Sequence, residues 1–194
     1  MDAVPVRWWA DGGFAQAPVP GLQVVGVRGQ PDRDTARRAI RAALLDALVE
    51  ASGLPAASIR LCGGPGEAPY ALLDGRRRIA LSISHDGDVS VAALRLDGGA
   101  VGIDIMQVAD VPDWDAVARD YLGPACAAAL AGTQAHARAA AFARAWSGRE
   151  ARLKCRGMPL AEWRAADDAL LAACRCRPLR VPDGYVGTLA LAPD

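Results

Sequence analysis

Three short stretches hold the side chains whose types and spacing could do chemistry. Ser84 and His85 close a strand-like run, Ser82-Ile83-Ser84-His85-Asp86-Gly87, and from a strand rim both could donate to an anion. Asp104 stands in Val101-Gly102-Ile103-Asp104-Ile105-Met106. Alternation puts Val101, Ile103 and Ile105 on one face of a strand and Gly102, Asp104 and Met106 on the other. A carboxylate between isoleucines is costly unless it is paired or metal-bound. Trp146, Glu150 and Lys154 form an i, i+4, i+8 row on a helix. Trp146 would anchor that row and hold the two charges near the buried margin. Each stretch also has a plain reading: an exposed turn histidine, an Asp104–arginine pair, or a solvated Glu–Lys pair contributing roughly a few tenths of a kcal/mol. Two oddities belong to the third stretch. Lys154 is the only lysine among 22 basic residues. Gly148, inside the same helix, costs about 1 kcal/mol relative to Ala and hints at a close neighbour.

The elements that must position these groups follow from periodicity. Residues 21–28 read as a strand. Residues 34–51 read as a helix, with Ile40, Leu44, Leu45 and Leu48 at helical spacing, Asp32 or Asp34 at the start, and Gly53 and Pro55 at the end. Residues 62–69 form a Gly/Pro loop. Residues 79–105 read as a three-stranded meander, with Asp97-Gly98-Gly99 as the turn between the last two strands. From Asp113 the pattern is helical, broken at Gly123-Pro124, with a long helix over about 133–156 that buries Phe142, Trp146 and Leu153. Residues 184–192 read as a closing strand. The order, roughly β-α-β-β-β-α-α-β, is an α+β arrangement.

The totals exclude some functions. The chain has 194 residues, enough for one large domain or two small packed halves. Basic and acidic residues balance at 22 each, which argues against a general nucleic-acid or membrane binder. No stretch has the length of a membrane span, and the first residues lack the apolar run of a signal peptide. The five cysteines have no CxxC pair and no zinc-like spacing. These features predict a reduced, cytoplasmic protein.

Taken together and in order, the three stretches resemble the Sfp-type 4′-phosphopantetheinyl transferase superfamily, whose pattern is S-x-S-H-S, then G-[IV]-D-[IV]-E, then W-[ST]-x-K-E-x-x-x-K. The resemblance runs from about Arg37 to Leu191. It includes the helix with Arg37 and Arg38, Gly157 and Leu160 after the last motif, and the closing strand. It implies two similar α+β halves related by a pseudo-twofold, each a small antiparallel sheet packed with helices. Residues 1–98 would carry the nucleotide-end contacts, and residues 99–194 the metal site and carrier docking. It implies a monomer that moves phosphopantetheine from coenzyme A to a serine of an acyl or peptidyl carrier protein, releasing 3′,5′-ADP. By the same resemblance, Asp104 and Glu150 would hold Mg²⁺, and Glu150 would take the serine proton. Lys154 would approach the pyrophosphate. Ser84 and His85, with Arg37 or Arg38, would meet the nucleotide end. Val111, Trp114, Tyr121 and Leu122 would offer apolar contacts to the carrier, or else be core, with Arg119 facing its acidic helix.

The chain departs from that pattern at two places. Met106 stands where the family has glutamate, and a thioether is too soft for Mg²⁺. Glu67-Ala68-Pro69 stands where many members have Gly-Lys-Pro, with Arg76 to Arg78 as nearby substitutes for the lost charge. Two further readings therefore stay open. One is a degenerate homologue that binds coenzyme A or a carrier protein without catalysis. The other is a structural protein in which Asp104 and Glu150 pair with arginines.

Overall fold

The computed structural model describes residues 2–10, 13–14, 21–64 and 67–193. Of the expected loop at 62–69, Pro65 and Gly66 lie outside the described residues. In chain order the elements are β1 (Val4–Pro5), β2 (Arg7–Ala10), β3 (Gly13–Phe14), β4 (Leu22–Arg28), α1 (Arg33–Ser52), β5 (Ile59–Cys62), β6 (Tyr70–Leu73), β7 (Arg77–Asp86), β8 (Val89–Arg95), β9 (Val101–Gln107), α2 (Trp114–Val117), α3 (Pro124–Ala131), α4 (Ala135–Cys155), α5 (Ala165–Ala172), β10 (Arg175–Arg180) and β11 (Tyr185–Leu191). One π turn, Ala118–Leu122, prolongs α2. The α+β class holds, but neither sheet is the purely antiparallel one expected: β2 pairs parallel with β4, and β1 with β10.

Two sheets carry these strands. One has seven, in the order β3-β2-β4-β8-β7-β6-β5, and the other four, in the order β1-β10-β11-β9. Helix α1 begins where the Asp32 carboxylate accepts the N–H groups of Asp34 and Thr35, at 2.9 and 2.8 Å, and ends at Gly53 with φ 71°. Its Ile40, Ala43, Leu44, Ala47 and Leu48 share a core with Val25, Val27 and Leu94 of the larger sheet. The opposite face of that sheet, through Val24, Val89, Val91 and Ala93, shares a second core with Val101, Ile103, Ile105, Leu179 and Leu189 of the smaller one. Helix α4 covers the far side of β9 and β11. The alternation expected for β9 is thus observed: isoleucines toward the inter-sheet core, Gly102 and Asp104 toward α4.

The expected three-stranded meander needs correction. Strands β7 and β8 form a hairpin through Gly87-Asp88, with Asp86 opposite Val89. Strand β9 does not continue it. Both edges of β8 are already taken, by β4 and β7, so no ladder position remains. Strand β9 instead pairs antiparallel with β11, Asp104 opposite Thr188. The ladder from β1 to β10 is parallel, Val4 opposite Leu179, and carries a strand from the front of the sequence into the smaller sheet. The weak signals that sequence periodicity passed over are short strands: β5, β6 and β10 each have six residues or fewer.

Candidate active site

The site grows from a seam where two strands of different sheets run side by side without a backbone ladder. The N–H groups of Ile103, Ile105 and Gln107 on β9 are taken by side chains of β7: Ser82 Oγ at 2.9 Å, Ser84 Oγ at 3.4 Å and Asp86 Oδ2 at 2.6 Å. The Ser-x-Ser-x-Asp spacing matches the two-residue period of β9, so side-chain oxygens satisfy the amides of buried Ile103 and Ile105 and of exposed Gln107. That is a structural role for Ser82 and Asp86 that the sequence reading did not assign.

Gly102 sets the second spacing. A Cβ there would lie 1.9 Å from the carbonyl oxygen of Ala151 and 2.4 Å from the amide nitrogen of Cys155. Only glycine lets α4 rest this closely on β9. Ser147 adds a tie, donating to the Asp104 carbonyl at 3.2 Å. Gly148, by contrast, meets only the end of the Arg152 side chain, 3.2 Å from an added Cβ, and the Arg152 guanidinium donates to the Gly148 carbonyl at 2.9 Å. Trp146 is half-buried against Phe142 and Tyr121, with ring centroids 6.0 and 5.8 Å away.

With α4 held this way, Lys154 Nζ reaches Asp104 Oδ1 at 2.6 Å, Ser84 Oγ at 3.1 Å and Glu150 Oε2 at 3.4 Å. Ser84 in turn donates its hydroxyl proton to Asp104 Oδ1 at 2.7 Å. Asp104 is 4% exposed, so its partner matters. The partner is the single lysine, not one of the arginines that the plain reading of Asp104 invoked. Burial pushes the Asp104 carboxyl up to about 6, against the pull of the Lys154 charge and its hydrogen bond. Lys154 thus offsets the cost of burying Asp104 only in part.

These four groups line one cavity of about 380 Å³ together with His85, Arg33, Met106 and Trp146. His85 Nδ1 lies 3.0 Å from Ser90 Oγ. Its pKa is held below the ordinary histidine value, first by burial and then by the charges of Arg33, Arg37 and Lys154. Arg37 is exposed and lies 3.5 Å from Asp34, and Arg38 donates to Thr35 Oγ1 at 2.9 Å. The arginine that lines the cavity is Arg33, one turn before Arg37, which the sequence reading missed; its i, i+4 spacing from Arg37 at the start of α1 was the available signal. Arg77 and Arg78 turn elsewhere. Arg77 donates to the Leu96 carbonyl, and Arg78 stacks 4.0 Å over the Tyr70 ring. A second cavity of about 480 Å³ shares Ile83 and Lys154 with the first and runs between Ala68-Pro69 and Gly157-Met158.

Among the described residues no three His, Cys, Asp or Glu side chains gather as a metal cluster. Met106, a thioether, lines the same cavity as Asp104 and Glu150. The five cysteines are free, and burial raises the pKa of Cys126, Cys155 and Cys176, which keeps those thiols protonated. Among the described residues, no helix is long and apolar enough to cross a membrane. Val111, Trp114 and Leu122 are half-buried and pack around Phe142 and Leu130. Arg119 is exposed, 3.0 Å from Asp115.

Residues 100–185 match the family model described as the 4′-phosphopantetheinyl transferase superfamily. The matched stretch runs from the start of β9 to Tyr185 and contains Asp104, Glu150 and Lys154. No curated protein matches the chain.

Proposed function

From the superfamily domain at residues 100–185, we propose that this protein transfers 4′-phosphopantetheine from coenzyme A to a serine hydroxyl of an acyl or peptidyl carrier protein, releasing 3′,5′-ADP. The observation that carries the reading is the meeting of Ser84, Asp104, Glu150 and Lys154 in one cavity at the seam between the sheets.

The carrier serine oxygen attacks the phosphorus that bears the pantetheine arm. A phosphorus–oxygen bond forms, the bond to the bridging oxygen breaks, and that oxygen leaves with the nucleotide. Glu150 takes the hydroxyl proton as general base. The Lys154 ammonium neutralises charge on the diphosphate. Ser84 positions Asp104 by its 2.7 Å hydrogen bond. His85, Arg33 and Arg37 would surround the nucleotide end, the latter two adding positive charge, with Arg38 one residue further along α1; burial and neighbouring cations disfavour a proton on His85, and the negative charge of an arriving phosphate would raise its pKa again. The pantetheine arm would lie in the adjoining cavity of about 480 Å³ that shares Lys154.

Asp104 and Glu150 supply hard oxygen donors on one wall of the cavity. The pair fits Mg²⁺, which needs only one or two carboxylates and otherwise keeps its waters. When bound, the ion would neutralise phosphate oxygens during the displacement. The two long helices, each on its own sheet, support the reading of two related halves near 1–98 and 99–194, with β1 as a strand lent by the first to the second. The carrier would dock near Val111 to Leu122, its acidic helix facing Arg119. The protein would act as a cytoplasmic monomer.

A second reading is favoured by Met106 and by the short Lys154–Asp104 ion pair: a homologue that binds coenzyme A or a carrier and transfers nothing. Intact-mass analysis of an apo carrier protein incubated with coenzyme A and Mg²⁺ decides between them. The proposed enzyme adds one phosphopantetheine per carrier. An unchanged carrier mass, across carriers from fatty-acid, polyketide and peptide synthesis, with coenzyme A binding intact, would establish the second reading instead.

A further inference from the structure

Two walls of the coenzyme cavity belong to different sheets. His85 and Asp86 end β7 of the larger sheet, while Asp104 and Met106 lie on β9 of the smaller one. Buried Ser82 and Ser84 tie the walls along the seam. Where β7 turns into β8, at the exposed end of the seam, two further side-chain bonds do so. Asp86 accepts the Gln107 N–H at 2.6 Å. Tyr185, opposite Gln107 in the ladder of β9 and β11, donates its phenol proton to Asp88 Oδ1 at 2.9 Å.

The turn is shaped for this tyrosine. Gly87 has φ 54°, and a Cβ there would lie 2.3 Å from the Tyr185 hydroxyl oxygen. Glycine thus meets two demands at once, a left-handed backbone and the close approach of the phenol. Asp88 also reaches a third element, since its carbonyl accepts the Gly29 N–H at 3.0 Å, four residues before Arg33 at the start of α1. His85 sits in the same hairpin, its Nδ1 3.0 Å from Ser90 Oγ across the strands. Tyr185 is not part of the cavity lining, so any effect it has on the site passes through the turn.

We propose that Tyr185 is a positioning residue. Through Asp88 and Gly87 it latches the β7–β8 turn to the smaller sheet and so fixes His85 at the nucleotide end of the cavity. The consequence for coenzyme A rests on the coenzyme site proposed above, whereas the latch rests on the contacts alone.

Tyr185→Phe removes one hydroxyl and keeps the ring. Calorimetric affinity for coenzyme A and for 3′,5′-ADP should fall about threefold or more, and the KM for coenzyme A should rise while kcat holds. Asp88→Ala should match it, Asp88→Asn, which keeps an acceptor oxygen, should stay near the parent, and Tyr185→Phe with Asp88→Ala should be no worse than either alone. Thermal unfolding checks that each variant folds, and exposed Asp88 is the safeguard should Tyr185→Phe fail. The chain has two histidines, so His85 can be followed by NMR, with His85→Gln to assign its signal. Its titration, held low first by burial and then by the charges of Arg33, Arg37 and Lys154, should move toward the ordinary value in Tyr185→Phe, and that of His136 should not. An unmoved His85 titration in the folded variant would overturn the latch. Unchanged coenzyme A affinity would overturn its role in binding, and equal losses in Asp88→Asn and Asp88→Ala would overturn the hydrogen bond as the link. A parent protein that binds no coenzyme A would overturn the coenzyme site instead, and the histidine signal would still decide the latch.

Discussion

Helices α1 and α4 are of nearly equal length, 20 and 21 residues, and each lies on a sheet, yet they are attached by opposite means. Helix α1 is held by volume. Ile40, Leu44 and Leu48 are fully buried, Asp46 and Glu50 bond to Trp9 and Arg7 of β2, and Arg33 reaches the cavity rim. Helix α4 is held by proximity. Ser147, Gly148, Ala151 and Cys155 are its buried small residues, and Gly102 beneath them removes the last obstacle to backbone contact. A helix fixed by large side chains tolerates some resettling, because its neighbours can repack. A helix fixed through backbone cannot shift without losing the contact, and that suits the one that carries Glu150 and Lys154.

The largest effect expected is on chemistry. Lys154→Arg should lower the transfer rate on the order of a hundredfold, because a planar guanidinium cannot enter the gap between Asp104, Ser84 and Glu150. Undiminished transfer by this variant would break the comparison at its centre. Stability separates the helices next. Leu44→Ala should cost about 3 kcal/mol in urea unfolding and leave coenzyme A affinity unaltered once folded. Gly102→Ala should cost a similar amount, about 3 kcal/mol, and also weaken coenzyme A binding, because relief of the clash moves α4. If Gly102→Ala destabilises without touching affinity, α4 is less tightly tied to the site than its packing implies.

Smaller effects sharpen the same contrast. Ser82→Ala leaves the Ile103 amide without its acceptor and should cost about 1–3 kcal/mol. His85 gives a pH signature. Its unfolded imidazole titrates near 6.5 and the folded one lower, so the unfolded state takes up the proton first. Stability therefore falls as pH drops below about 6.5, and His85→Gln should flatten that part of the profile relative to the parent. The smallest effect has the opposite sign. Gly148→Ala should stabilise by about 0.5–1 kcal/mol, since only the mobile end of Arg152 stands near the new methyl group.

Much of this site was legible in residue order because β9 and α4 each have strong periodicity. Alternation along 101–106 put Asp104 opposite the isoleucines, and the i, i+4 row joined Glu150 to Lys154. What periodicity could not show was partnership across the fold. Nothing local announces that both edges of β8 are filled, so the departure of β9 to β11 stayed hidden. The serines of the first motif look like anion donors when read alone. Only the neighbouring strand reveals that Ser82 and Ser84 stand in for ladder carbonyls. The partner of Asp104 was equally open, since 21 arginines and one lysine were all candidates.

The strand at Val4–Pro5 has a consequence for how the molecule comes into being. All the strands of the larger sheet lie between residues 7 and 95, so that sheet can assemble while the rest of the polypeptide is still inside the ribosome. The smaller sheet cannot. Its outermost strand, β1, pairs with β10, some 170 residues further along the chain, and finds a place only once β10 is available. Loop closure over that distance is slow, and vectorial synthesis makes it the final event. The wall that carries Asp104, Glu150 and Lys154 therefore sets after the larger sheet, and a chain cut short before β10 would hold the larger sheet without a completed smaller one.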